Sequence, residues 1–213
     1  FMTSKNTSLM DHSNFIKVVL VGTTHPGNIG AAARAIKTMG LSKLDLVCPK
    51  EFPSNEATYR SKAAKDILEK ASIHETLFES VKGCEMVIGT SARNRKVPWP
   101  VLNPKNASKE INKAVKNNSK VAIVFGREDR GLTNEELGLC NLHIHIPTNE
   151  DYSSLNLAQA VQIVTYEIRM NFLELEILKS DQEWDVELAS AEQTERLIEH
   201  MDELMKEVEF YDT

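Results

Sequence analysis

Four short apolar runs punctuate the chain: Ile16 to Val21, Leu44 to Cys48, Glu85 to Gly89 and Val121 to Phe125. Each reads as a buried strand. A fifth run, Leu142 to Ile146, alternates His143 and His145 with apolar neighbours. Helical periodicity fills the intervals. Ile29, Ala32, Ala33 and Ile36 recur at helical spacing, which predicts a helix from near Asn28 to Gly40 with these residues on the sheet and Arg34 and Lys37 facing away. Thr133 with Glu136 forms a capping-box pattern at the start of another helix. The longest pattern follows Ser153 and Ser154: Leu155, Ala158, Val161, Gln162, Thr165, Ile168 and Phe172 predict a long helix packed on the domain. Beyond a linker at 179–187, Leu188, Leu197, Met201, Leu204 and Val208 predict an amphipathic helix among charges. Alternating β and α elements predict an α/β fold with a mainly parallel, doubly wound sheet.

The 213 residues carry 31 acids against 25 Lys and Arg, a formal charge of -6 that at face value argues against a polyanionic partner. The regional balance reverses that. Residues 1–170 hold 22 basic and 17 acidic side chains, net +5, whereas 171–213 hold 3 basic and 14 acidic, net -11. A basic body thus precedes an acidic tail. With 41% apolar residues the chain can build one sizeable domain plus an appendage. No apolar run approaches the roughly 18 residues of a membrane span, and the polar start lacks the apolar stretch of a signal peptide, so the expectation is a cytoplasmic protein without membrane contact. Phe1 ahead of Met2 reads as an expression remnant. Cys48, Cys84 and Cys140 are odd in number and widely spaced, which predicts reduced, buried thiols.

In an open parallel sheet, ligands bind outside the carboxyl ends of the strands. The segments in that position are GTTHPGNIGAAARA from Gly22, TSARNRKVPWP from Thr90, GREDRGLTNEE from Gly126 and PTNEDYSSLNLAQA from Pro147, all rich in small, polar or basic residues. The first lacks the GxGxxG and GK[ST] patterns of dinucleotide and P-loop sites, and the acid expected to hold a ribose would be Asp45, in mid-strand. Arg34 alone reads as a solvated helix arginine. Arg93, Arg95 and Lys96 beside Trp99 combine phosphate-directed charge with an aromatic face, as single-stranded nucleic acid requires, although Trp99 could instead pack inward between its prolines. Glu128 and Arg130 could pair only with each other, and Ser153, Ser154 and Asn156 could be an ordinary helix cap. His143 and His145 share a strand face without a third ligand, so no metal is expected. No nucleophile triad or carboxylate pair stands out. The chemistry therefore calls for an activated donor, and a methyl group on a sulfonium fits that need.

Four blocks, VVLVGTTHPGNIGAAARAIKTMGL, VIGTSARNRKVPWP, VAIVFGREDRGLTNEEL and IPTNEDYSSLNLAQAVQIVTYEIRM, resemble in order and spacing the signatures of the SpoU/TrmH-type SPOUT RNA 2'-O-methyltransferases. The TrmJ subfamily, which methylates the ribose of cytidine or uridine at the first nucleotide of the tRNA anticodon loop, is the most similar. The resemblance spans about residues 15–175. It implies a Rossmann-like sheet ending in a trefoil knot, a homodimer, a tRNA partner and S-adenosylmethionine as cofactor. By motif position, the implied cofactor contacts are Thr90, Ser91, Ala92, Gly126, Arg127, Glu128, Ile146, Ser154, Leu155 and Asn156. The implied catalytic residues are Asn28, Arg34, Ser154 and Asn156, with Arg34 reaching the cofactor site of the other subunit. Arg93, Arg95, Lys96 and Trp99 become candidates for tRNA contact. An rRNA substrate and a catalytically silent RNA-binding homologue are the competing readings. Residues 1–14 are expected to be a disordered or remnant-bearing N-terminus and 176–213 an incomplete acidic helical extension. The subfamily continues into a basic helical extension where this chain stops at Thr213, so the expectation is an incomplete chain or a reduced tRNA grip.

Overall fold

The apolar runs pair into one parallel sheet in a computed structural model that describes residues 13–91, 100–149, 151–177, 189–208 and 210, with only the backbone at 174–177. The strands are β1 (Ile16–Val21), β2 (Lys43–Val47), β3 (Ser72–His74), β4 (Met86–Thr90), β5 (Val101–Leu102), β6 (Val121–Phe125) and β7 (Leu142–Ile144). Their order is β3-β2-β1-β6-β4-β7-β5, with every pairing parallel. The helices are α1 (Pro26–Thr38), α2 (Asn55–Ser61), α3 (Lys65–Glu69), α4 (Leu77–Val81), α5 (Pro104–Lys116), α6 (Asn134–Gly138), α7 (Leu157–Ile177) and α8 (Ala191–Glu207).

Alternate side chains of the strands feed two cores. Val18, Leu20, Leu44, Leu46, Ile88, Ile123 and Phe125 pack with Ile29, Ala32, Ala33 and Ile36 of α1, Ile111 and Val115 of α5, and Val161 and Ile168 of α7. On the other face, Val19, Val21, Val87, Ala122 and Val124 pack with Leu77 and Val81 of α4 and Leu137 of α6. Burial on both faces explains why the central strands are near-continuously apolar. On that second face Asp45 is buried, and its carboxylate accepts from Lys17 at 2.9 Å, Ser80 at 2.8 Å and the His74 ring at 3.0 Å. Its lone pairs serve the scaffold.

Several boundaries differ from those the periodicity predicts. Helix α1 starts at Pro26, two residues before Asn28, because proline's fixed φ and missing N–H suit the first helical position. It ends at Thr38, and the N–H groups of Gly40 and Leu41 then close onto the Lys37 and Ile36 carbonyls at 3.0 Å each, a Schellman turn. Strand β7 stops at Ile144 because its outer partner β5 is only two residues long. The edge strand β3 carries exposed Ser72 and Ile73, so it has no apolar run to announce it. Of the three free cysteines Cys140 is buried, but Cys48 is exposed.

The described chain divides into two compact units, Phe1–Ile177 and Leu178–Thr213. In the second, Ser190 and Gln193 form a capping box for α8, and Glu192–Arg196 and Asp202–Lys206 pair one turn apart at 2.6 Å. Leu188 lies outside the described residues.

Candidate active site

The strand order turns between β1 and β6: the chain builds β2 and β3 on one side of β1 and the remaining strands on the other. At such a switch point neighbouring loops diverge and leave a crevice at the carboxyl ends of the strands. Glu128, from the loop after β6, reaches across it to the loop after β1. Its carboxylate accepts from the Thr24 amide at 3.0 Å, the Thr24 hydroxyl at 2.8 Å, the His25 amide at 3.3 Å and Asn28 Nδ2 at 2.9 Å. His25, the N-cap of α1, contributes no side-chain hydrogen bond, so a residue a hundred positions away meets the donors at this positive helix end. Burial pushes the Glu128 carboxyl up, but the hydrogen bonds from Asn28, the Thr24 amide, its own backbone and the Thr24 hydroxyl outweigh it and bring the pKa down to about 2.

An ionised carboxylate only accepts, so it fixes which way the Asn28 amide faces. Nδ2 goes to Glu128, and Oδ1 is left to accept from Asn156 Nδ2 at 3.0 Å. Asn156 Oδ1 in turn accepts from the Ala158 amide at 2.8 Å, in the first turn of α7. Asn156 is therefore both the cap of α7 and a member of the site. Glu128, Asn28 and Asn156 tie together the loops after β1, β6 and β7.

Beside this chain of hydrogen bonds lies a cleft of about 260 Å³. Of the expected cofactor residues, Thr90, Ser91, Gly126, Arg127, Glu128, Ile146, Ser154 and Leu155 line it; Asn156 does not. Its apolar wall is Phe125, Leu132, Leu137, Ile144 and Leu157. The 126–131 loop is closed by mutual backbone hydrogen bonds between Arg127 and Gly131 at 3.2 and 2.9 Å. A Cβ on Gly126 would stand 2.2 Å from the Gly131 carbonyl carbon, so only glycine permits this closure. The Arg127 guanidinium holds Glu136 through two bonds of 3.0 Å, and Arg130 pairs with Asp129 at 3.3 Å. Glu128 and Arg130 thus have separate partners. The Thr90 hydroxyl donates to the Val124 carbonyl at 3.0 Å.

Arg34 does not line the cleft of its own chain; it is exposed on α1. Ser154 is exposed at the cleft. Ala92, Arg93, Arg95, Lys96 and Trp99 lie outside the described residues. His143 is fully buried, and burial pushes its imidazole pKa down; His145 Nδ1 lies 3.2 Å from the Ser91 carbonyl. Among the described residues no group of three or more His, Cys, Asp or Glu is arranged to hold a metal, and no helix is long and apolar enough to cross a membrane. Sequence reasoning missed the part of Thr24 and the apolar wall. The Gly-Thr-Thr-His run after β1 was a signal for the first; Leu132 and Leu137 carry none, since their pattern is that of core.

Residues 16–166 match the model of the SpoU rRNA methylase family. A Pseudomonas aeruginosa protein named tRNA (cytidine/uridine/adenosine-2'-O-)-methyltransferase TrmJ is 46% identical over 204 residues, 92% of this chain and 79% of that protein. A Sodalis glossinidius protein named tRNA (cytidine/uridine-2'-O-)-methyltransferase TrmJ is 46% identical over 195 residues, 89% of this chain and 74% of its own. Among solved structures, a probable methylase family protein from Haemophilus influenzae has a TM-score of 0.70 at 41% identity, covering 93% of this chain and 82% of that one. The structure of TrmJ from Z. mobilis ZM4 has a TM-score of 0.69 at 32% identity, covering 92% of this chain and 82% of that one.

Proposed function

The chain belongs to the SpoU rRNA methylase family, and from that premise we propose that it transfers the methyl group of S-adenosylmethionine to the ribose 2'-hydroxyl of cytidine or uridine at the first nucleotide of the tRNA anticodon loop. The observation that carries this reading is the convergence of Glu128, Asn28 and Asn156 beside a nucleoside-sized cleft. Relatives 46% identical over about nine-tenths of the chain and named tRNA 2'-O-methyltransferases support the substrate class.

The cleft's residues fit the cofactor. Its apolar wall suits a purine ring, and the hydroxyls of Thr90, Ser91 and Ser154 with the backbone groups of 126–128 suit the ribose and amino-acid ends. When bound, the cofactor supplies a methyl group on a sulfonium whose leaving group is neutral. The protein then has to align the 2'-hydroxyl and manage one proton. Arg34 is not the base, because a guanidinium offers five N–H donors and no acceptor. It orients the 2'-hydroxyl and stabilises the alkoxide that develops on it, while the adjacent phosphate or a water takes the proton. Asn28 and Ser154 position the ribose, and Asn156 holds Asn28 in place.

The reading includes a homodimer in which Arg34, which stands outside its own chain's cleft, serves the partner's site, and a C-terminal trefoil knot. Residues 15–175 are the catalytic domain of a cytoplasmic enzyme, and 176–213 an acidic helical extension. Arg93, Arg95 and Lys96 take the tRNA backbone, with Trp99 for support or stacking. Labelled-donor assays with tRNA test the reading: the wild type incorporates methyl groups and is thermally stabilised by S-adenosylhomocysteine, not by NAD(H). Arg34→Ala should keep that stabilisation and lose most of the turnover. Near-wild-type turnover by this variant removes the role given to Arg34; methyl incorporation into rRNA alone removes the tRNA assignment.

A further inference from the structure

Between Asn28, bound into the active site, and Arg34, six residues on, the flank of α1 is covered by α2. A methyl group on Gly30 would stand 2.1 Å from the Ala57 carbonyl oxygen and 2.9 Å from Arg60 Cβ, so α2 lies directly on the α1 backbone and the Arg60 side chain starts at Gly30. Arg34 is one turn, about 6 Å, further along the same face. In the turn after it, Lys37 Nζ donates to the Ala63 carbonyl at 2.9 Å and to Asp66 at 2.6 Å. Arg34 and Arg60 therefore rise from adjoining points on two packed helices. Both are exposed, and among the described residues neither is ion-paired, whereas Lys37 is.

The same short helix carries Tyr59, 69% exposed, with Lys62 Nζ 3.9 Å from its ring centroid. Neighbouring cations that make no ion pair repel one another, and a ring this exposed leaves much of its apolar surface in water. An RNA strand relieves both, since its phosphates neutralise the cations and its unstacked bases lie on the ring. We propose that Tyr59, Arg60 and Lys62 form an RNA-contact surface continuous with Arg34, holding the strand that flanks the target nucleotide through its phosphates and one stacked base. The inference rests on the RNA methyltransferase reading and adds to it a surface on α2, outside the cleft and outside the basic loop.

The experiment measures tRNA binding without methyl donor, and KM and kcat with it, for the full chain and for Arg60→Ala, Tyr59→Ala, Tyr59→Phe and a charge-matched control on α5, Lys113→Ala. The surface predicts that Arg60→Ala and Tyr59→Ala each weaken tRNA binding and raise KM about fivefold or more, with kcat and melting temperature little changed. Arg60→Ala also makes the salt dependence of binding shallower, by about one phosphate contact. Tyr59→Phe, which keeps the ring, should bind as the wild type does. Unchanged binding in both alanine variants overturns the proposal, as does an equal loss in Lys113→Ala, which would mean that affinity follows total charge. A shift in oligomeric state in place of the binding loss assigns the patch to a second copy of the chain and likewise overturns it. A wild type that binds tRNA without methylating it removes the methyltransferase reading and leaves the patch measurable. A wild type that binds no RNA removes both.

Discussion

At Glu128 a single carboxylate accepts four hydrogen bonds from the loop and helix after β1, and its pKa of about 2 expresses how much better the folded chain holds its charge than water does. Glu128→Gln would turn an amide NH₂ toward donors, and its cost depends on pH. Stability from a carboxyl whose folded pKa is depressed is complete above the unfolded value of ~4.3 and is lost as pH falls toward 2. Discounted for the solvent reaching this half-open site, the wild type should exceed the variant by on the order of 1 kcal/mol at pH 7. The difference should shrink between pH 5 and pH 2 in urea unfolding series. At this scale the loops around Asn28, Glu128 and Asn156 were legible from their composition and position after strands. Their connections were not: the sequence allows Glu128 to pair with Arg130, two positions away, and only the folded backbone brings it to Thr24 and Asn28, with Arg127 committed to Glu136.

Among the elements, those whose burial is written as unbroken apolarity or a regular stripe could be read, as could β7, α6 by its capping box and α8 by its apolar spacing, whereas other short ones could not. β1, β2, β4 and β6 are central, and α1 and α7 bury a regular stripe. β3, β5 and α2 through α4 are between two and seven residues long, too short to show a period. The α1–α2 contact shows the same limit, since its determinant is the missing side chain of Gly30 against the Ala57 carbonyl. Gly30→Ala gains helix propensity but forces the two helices apart, so a net loss of about 2 kcal/mol is expected. In thermal melts that is a drop of roughly 5 °C for a chain of this size. A melting temperature equal to the wild type would mean that α2 does not lie on α1 in this way.

For the whole molecule, the formal charge of -6 describes no surface that RNA would meet, because residues 1–170 carry +5 and residues 171–213 carry -11. Local fields govern encounter with a polyanion. tRNA affinity should therefore fall steeply with added salt, by the log–log slope that several phosphate contacts give. Salt-independent binding would contradict a basic docking face. The parallel sheet followed from the alternation of strand and helix patterns, since each crossover demands a helix. The strand order did not follow, because it depends on which edge of the sheet each crossover returns to, and with it went the switch point where Glu128 bridges β6 to β1.

Ribose methylation of tRNA at this cleft can be measured by incubating the protein with tRNA and a deuterium-labelled methyl donor, digesting to nucleosides and locating the label by mass spectrometry. The expected product is labelled 2'-O-methylcytidine or 2'-O-methyluridine from the start of the anticodon loop, lost with Arg34→Ala. Label on a base, or none in tRNA with the cofactor bound, would contradict it.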